Sequence, residues 1–108
     1  MHGPSEVGRA QGVIDTGAVY TVVQPRFLER IGGTPTGNVS VRTLERTLRI
    51  QVFTVEQVSV FGATLSQYPI LAYAPAACTP GIDGVLSIDI FLTLRARLDF
   101  ATGVLTIP

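Results

Sequence analysis

The segment from Thr47 to Val60 constrains the fold more than any other part of the chain. Its middle, RIQVFTVEQVSV, alternates apolar and polar residues, which is the pattern of a strand with one buried face. Further short runs rich in β-branched residues, at 39–43, 65–73 and 104–107, are separated by Gly and Pro turn signals. With 46% hydrophobic and 15% charged residues among 108 positions, the chain can bury one core. We therefore predict one mostly antiparallel all-β domain.

Two short helices and two further strands complete the predicted elements. Pro25–Ile31 starts with Pro and precedes two glycines, which predicts one or two helical turns. A second short helix is predicted at Asp89–Leu94, with Asp89 as its N-cap. Apolar runs predict buried strands at Gln11–Asp15 and Val85–Ser87. The chain then closes with a hairpin over residues 95–107 around a Gly turn.

Composition and charge exclude several classes of partner and chemistry. The formal net charge is zero and the eight basic residues, all Arg, are spread along the chain, so we predict neither nucleic-acid nor membrane binding. One Cys, Cys78, permits no internal disulfide and no multi-cysteine metal site. One His, His2, leaves little room for a Ser-His-Asp triad. We predict no metal and no cofactor, so acid–base chemistry in this chain falls to carboxylates.

Asp15 is the carboxylate with the most unusual surroundings. It lies in VIDTGA, residues 13–18, where it follows an apolar strand and precedes Thr-Gly. Gly17 allows a sharp turn and lets its N–H approach the carboxylate closely. Two interpretations remain open from these residues alone. Asp15 either ends a strand in an Asx-turn, or it is a catalytic aspartate held by backbone amides.

VIDTGA resembles the active-site motif of the retropepsin-like aspartic proteases. The later segment GIDGVLSIDIFLTLRARLDFATGVLTI, residues 81–107, resembles the closing unit of the same family: a buried strand, a short helix and a strand–turn–strand ending in LDF-xx-G-x-L. The resemblance covers residues 11 to 107, and it is nearer to bacterial members than to retroviral ones. It implies a closed or partly open β-barrel with one short helix after Ser87. The domain would span residues 11–108, with residues 1–10 a linker or a truncated N-terminal segment.

The resemblance implies a homodimeric aspartic endopeptidase that cleaves a peptide or protein substrate. Each retropepsin chain contributes one aspartate, so Asp15 and Asp15 of the partner subunit would activate one water between them. Thr16 would hydrogen-bond across the dimer axis, and Gly17 would give an amide to the carboxylate and a carbonyl to the substrate. Ala18 and Val13 would line the floor of the substrate cleft.

The remaining positions carried over from the family concern substrate pockets and a lid. Ile82 and Val85 would shape apolar side-chain pockets. The flap would be the hairpin between 39–43 and 47–52, with its tip at Leu44, Glu45 and Arg46.

Two departures from the family pattern favour another function on the same fold. The family's flap tip is usually rich in Gly, whereas this chain has no Gly between Asn38 and Phe61. Ser87 stands where the family usually has Gly. The alternative is therefore a catalytically impaired dimerisation or peptide-binding module. A second alternative is an unrelated small β-barrel in which Asp15 only ends a strand.

Overall fold

Thr47–Val60 forms the longest strand of the protein, as its alternation predicts. A computed structural model describes residues 1–74 and 80–108, so Cys78 lies outside the described residues. Within the long strand, Phe53 and Val55 are buried while Glu56 is exposed. The apolar face of this strand therefore forms one wall of the core.

The described residues form eight strands and two helices. The strands are β1 (Gly12–Ile14), β2 (Val22–Val23), β3 (Pro35–Arg42), β4 (Thr47–Val60), β5 (Ala63–Ala72), β6 (Gly84–Leu86), β7 (Arg97–Asp99) and β8 (Val104–Thr106). The helices are α1 (Pro25–Arg30) and α2 (Ile88–Thr93), which confirms the two predicted helical segments. No helix in the described part of the chain is long and apolar enough to cross a membrane.

One curled sheet and one separate hairpin make up the β structure. The sheet has the strand order β1-β6-β2-β5-β4-β3, and β7 pairs only with β8 in the second sheet. Most pairings are antiparallel, whereas β1–β6 and β2–β5 are parallel. The six-stranded sheet curls into a half-barrel, which confirms the predicted all-β fold in its partly open form.

The core lies between the curled sheet and α1. Pro at the start of α1 suits the first helical position, where an N–H has no partner within the helix. Phe27 and Leu28 then turn inward from α1 and are almost wholly buried. The buried apolar cluster consists of Val23, Phe27, Leu28, Ile31, Phe53, Val55, Val58 and Ile70. Burial of this cluster holds the sheet in its curled shape, on which the position of the Asp15 turn depends.

Residues 1–10 pack against β4 and α1. The His2 amide donates to the Gln57 carbonyl over 2.8 Å, and the Glu56 amide donates to the His2 carbonyl over 3.0 Å. The Ser5 amide donates to the Ile31 carbonyl of the α1 C-cap over 2.9 Å. The N-terminal segment therefore pairs through its backbone with β4 at His2. The division of the chain at residue 10 stays a prediction.

The prediction that the Asp15 strand is buried was wrong. β1 covers only Gly12–Ile14, and Val13 and Ile14 are 39% and 49% exposed. Among residues 1–74 and 80–108, β1 is the edge strand of the sheet and pairs on one side only, with β6. Its apolar side chains are therefore left at the surface of the single chain.

Candidate active site

Asp15 directly follows β1 in a tight turn. The Asp15 amide donates to the Leu86 carbonyl over 2.9 Å, which extends the β1–β6 pairing by one residue. The Gly17 amide donates to Asp15 Oδ1 over 2.9 Å, and the Ala18 amide donates to the Asp15 carbonyl over 3.3 Å. The side chain of Asp15 is thus fixed by a backbone amide and is still exposed to solvent. An Asx-turn is therefore present, and the catalytic role of Asp15 stays a prediction.

Gly17 lies close to the Asp15 carboxylate, which leaves little room for a side chain at position 17. A Cβ placed on Gly17 would lie 3.2 Å from Asp15 Oδ1, closer than an ordinary van der Waals contact. A side chain at this position would require the carboxylate to shift by a few tenths of an ångström. The Asp-Thr-Gly sequence therefore has a local steric reason.

A cleft of about 540 Å³ lies between the Asp15 turn and the β3–β4 hairpin. Apolar side chains from the hairpin, including Val41, Leu48 and Ile50, form one wall, and Leu71 and Val85 contribute from the sheet. Asp15 and Ala18 lie on the opposite wall. The arrangement puts a single carboxylate beside a mostly apolar groove that has the hairpin as one wall.

The predicted site residues divide among three regions. Asp15, Ala18 and Val85 line the cleft, whereas Leu44, Glu45 and Arg46 lie at the turn of the β3–β4 hairpin and are not part of the cleft lining. Val13 is on β1 and pairs with Val85 in the sheet. Ile82 lies apart from the cleft, in a depression that it shares with Gln24 and Arg26. The structure therefore brings Ala18 and Val85 to Asp15, and it places Ile82 elsewhere in the single chain.

Thr16 belongs to an exposed apolar face next to Asp15. The face surrounds a depression of about 580 Å³ and consists of Ile14, Thr16, Ile88, Phe91, Leu92, Ala96, Leu98, Phe100, Gly103 and Leu105. Phe100 is 84% exposed and Leu92 is 69% exposed. Clusters of exposed apolar residues on this scale are typical of interaction surfaces. Ile14 and Thr16 are the sequence neighbours of Asp15, so this apolar face borders the Asp15 turn.

A buried polar network supports the Asp15 turn from below, and the sequence did not reveal it. Thr21 Oγ1 donates to Asp89 Oδ1 over 2.7 Å and accepts the Ser87 amide over 3.0 Å. The Tyr68 hydroxyl donates to Asp89 Oδ2 over 3.0 Å. Burial, with a contribution from the nearby Asp89 carboxylate, raises the pKa of Tyr68 to about 12. The network ties β5 and α2 to the chain that leaves the turn.

The predicted N-cap role of Asp89 was wrong. Ser87 occupies the N-cap position of α2, and Asp89 lies in the first turn of the helix. Its carboxylate bonds Thr21 and Tyr68 instead, at sequence separations of 68 and 21 residues. An Asp inside the apolar run 88–92 was the only sequence signal for this role.

Ser87 lies fully buried between the Asp15 turn and α2. It lines the cleft, and its Oγ has no hydrogen-bond partner among residues 1–74 and 80–108. The Ile88 amide next to it donates to the Ala18 carbonyl over 3.2 Å. Ser87, which stands where the family usually has Gly, therefore adds a hydroxyl directly behind the Asp15 turn.

Comparison with known families gives a match over most of the chain. The family model described as "Aspartyl protease" matches residues 6–90, which include the Asp15 turn and β1 to the first part of α2. No curated protein matches the chain significantly. Among the residues that the structure describes, no three His, Cys, Asp or Glu side chains come together to hold a metal ion.

Proposed function

This chain belongs to the aspartyl protease family, and we propose that it is a homodimeric endopeptidase whose two catalytic carboxylates are Asp15 and Asp15 of the partner subunit. One observation carries the proposal. The Asp15 carboxylate is exposed, is held by the Gly17 amide, and lines a mostly apolar cleft that it shares with the β3–β4 hairpin. The family match supports peptidase activity, and this geometry supports Asp15 as the residue that performs it.

The chemistry requires two carboxylates in different protonation states. Two carboxylates facing one water cannot both ionise easily, so the pair shares one proton. The ionised member takes a proton from the water as its oxygen attacks the substrate carbonyl carbon, and the protonated member gives its proton to the carbonyl oxygen. Transfer of a proton to the amide nitrogen then allows the C–N bond to break, which releases an acid and an amine. Each chain supplies one such carboxylate in this mechanism, so the second comes from an identical chain.

The exposed apolar face supports dimerisation at the required place. A two-fold axis beside Thr16 would bring the two Asp15 turns together and would cover the apolar face with its own copy. Leu92 and Phe100 would lose most of their contact with water in such a dimer. The same contact that stabilises the dimer would therefore assemble the catalytic pair.

Substrate binding follows from the shape of the cleft. Its walls are strands and its lining is mostly apolar, so an extended peptide with apolar side chains fits it best. The β3–β4 hairpin would act as the flap that covers the peptide. The alternative function, a peptide-binding module without catalysis, uses the same cleft and draws its support from the buried Ser87 hydroxyl.

The test is the substitution Asp15→Asn, assayed on unfolded protein substrates from pH 4 to 7. We expect cleavage to fall by at least about 10²–10⁴-fold, because the substitution replaces both carboxylates of the pair. Activity of the unchanged protein should be favoured at acidic pH and should be blocked by statine-like mimics of the transition state. Glu56→Gln, an exposed carboxylate on β4, is the matched control and should retain activity.

Two outcomes would contradict the proposal. Cleavage that persists in Asp15→Asn, with unchanged circular dichroism and unchanged dimerisation, would exclude the aspartic mechanism. Binding of peptides by the unchanged protein without any cleavage would instead establish the peptide-binding module.

A further inference from the structure

Ser87 carries a hydroxyl that the fold of the single chain does not use. It is the N-cap residue of α2, a position that Ser favours because its side-chain oxygen can accept an amide of the first helical turn. Ser87 makes no such capping bond, and its Oγ has no other hydrogen-bond partner in the described part of the chain, 1–74 and 80–108. The residue is nonetheless wholly buried. Because a buried hydroxyl without a partner is destabilising, Ala or Gly would suit the fold better at this position.

The backbone at Ser87 runs beside the Asp15 turn. β1 and β6 pair in parallel, with Ile14 opposite Leu86. The Asp15 amide continues this pairing by its bond to the Leu86 carbonyl, so the next pair in the same register would be Asp15 and Ser87. Residues opposite each other in neighbouring strands direct their side chains to the same face of a sheet. Asp15 and Ser87 accordingly line the same cleft.

The Asp15 carboxylate is the acceptor that this geometry offers to the hydroxyl. Solvent does not reach Ser87 Oγ, so a protein group rather than bulk water must supply its partner. Thr21 Oγ1 already accepts the Ser87 amide and donates its own proton to Asp89. The Gly17 amide makes one hydrogen bond to Asp15 Oδ1, whereas a carboxylate can accept about four. The exposed Asp15 side chain can therefore take a further donor when a partner subunit covers the turn.

We propose that Ser87 is a positioning residue for the catalytic pair, and that in the assembled dimer its hydroxyl donates a hydrogen bond to the Asp15 carboxylate. The hydroxyl and the Gly17 amide then hold the carboxylate by two hydrogen bonds, which fixes its oxygens for proton transfer to and from the water. This inference rests on the proposed peptidase function. It also opposes the alternative in which the hydroxyl impairs catalysis, so the two make opposite predictions for its removal.

The kinetic test removes the hydroxyl in two ways. Ser87→Ala keeps the Cβ, and Ser87→Gly introduces the residue that the family usually has. Both should lower kcat by about tenfold with KM nearly unchanged, because the carboxylate rather than the substrate loses a hydrogen bond. Ser66→Ala removes an exposed hydroxyl from β5 and is the matched control, which should keep both constants. An unchanged or higher kcat in either Ser87 variant would overturn the proposal.

Unfolding separates positioning from a structural role of the hydroxyl. At a protein concentration low enough to keep the chain monomeric, Ser87→Ala should have the urea midpoint of the unchanged protein or a slightly higher one, because no hydrogen bond of the single chain is lost. Loss of a helix cap would lower the midpoint instead. A midpoint that falls in Ser87→Ala but not in Ser66→Ala would show that the hydroxyl caps α2, and it would overturn the proposal.

A crystal structure of the dimer tests the contact without an assay of cleavage. We expect Ser87 Oγ to lie within about 3.0 Å of an Asp15 carboxylate oxygen, an ordinary O–H···O distance. A dimer in which Ser87 Oγ bonds a backbone group instead would overturn this inference alone. A dimer that has the contact but cleaves no peptide would refute the proposed peptidase function and leave the contact between Ser87 and Asp15 established.

Discussion

Replacement of Phe100 by Ala should dissociate the proposed dimer while leaving the fold of each chain intact. Phe100 lies in the turn between β7 and β8, and it is 84% exposed in the single chain. It therefore contributes little to the core of its own chain. In the proposed dimer it would be covered together with the rest of the apolar face.

The expected loss of dimer stability follows from the exposure of the Phe100 side chain in the single chain. Burial of a large apolar side chain stabilises by roughly 1.5–3 kcal/mol, so we assign about 2 kcal/mol to each Phe100. A two-fold dimer contains two copies, which gives about 4 kcal/mol and about a thousandfold increase in the dimer Kd. Leu92 is 69% exposed. Its replacement by Ala should lower the stability of the dimer by about 3 kcal/mol, which corresponds to about a hundredfold increase in the dimer Kd.

Sedimentation equilibrium over a range of concentrations measures these constants directly. Val7→Ala is the control, because Val7 is 63% exposed but lies in the N-terminal segment that packs along β4 and α1. We expect Phe100→Ala to weaken the dimer most, Leu92→Ala less and Val7→Ala not at all. Unfolding of the monomeric proteins at low concentration should differ little among the three.

Two results would refute the reasoning. The unchanged protein could remain a monomer at millimolar concentration, in which case the apolar face does not pair with itself. Alternatively, Phe100→Ala and Val7→Ala could change Kd equally, in which case the interface lies elsewhere. Cleavage by a strictly monomeric protein would also show that Asp15 works without Asp15 of the partner subunit.

Two further predictions concern the Asp15 turn and the network below it. Gly17→Ala should lower kcat by at least about tenfold, because the new Cβ displaces the exposed Asp15 carboxylate. The unfolding midpoint should be almost unchanged. Full activity in this variant would refute the steric argument. Since the pKa of Tyr68 is raised to about 12 from 10.0, its contribution to stability is complete below pH 10 and is lost as the pH rises toward 12. Urea unfolding at pH 8 and pH 11 should show this loss in the unchanged protein and a smaller loss in Tyr68→Phe.

Local sequence signals predicted most elements correctly. The alternation at 47–60, the Pro before α1 and the Gly turn at 95–107 each depend on residues within a few positions of one another. Turn and helix chemistry acts over that same range, so such signals can be seen in a single sequence. The Asp-Thr-Gly turn belongs to this class, since the Gly17 amide bonds a carboxylate two residues away.

Features that depend on strand order could not be predicted in this way. The burial of β1 was misjudged because an apolar run has the same composition at the edge of a sheet as in its centre. Ile82, which was predicted to shape a substrate pocket, shares a depression with Gln24 and Arg26 in the single chain, and its role stays a prediction. In both cases the position of a strand or loop relative to distant segments decides which surface its side chains meet.

The sequence by itself determined that this chain is a β protein with one carboxylate held in a tight turn, since alternation and Gly placement act locally. The tertiary structure decided what surrounds that carboxylate. Only folding brings Thr21, Tyr68 and Asp89 into one network, lines one cleft with Asp15 and the hairpin, and leaves an apolar face open beside Thr16. Each of these depends on contacts between residues far apart in the chain, and their geometry is set by how the sheet curls around its core.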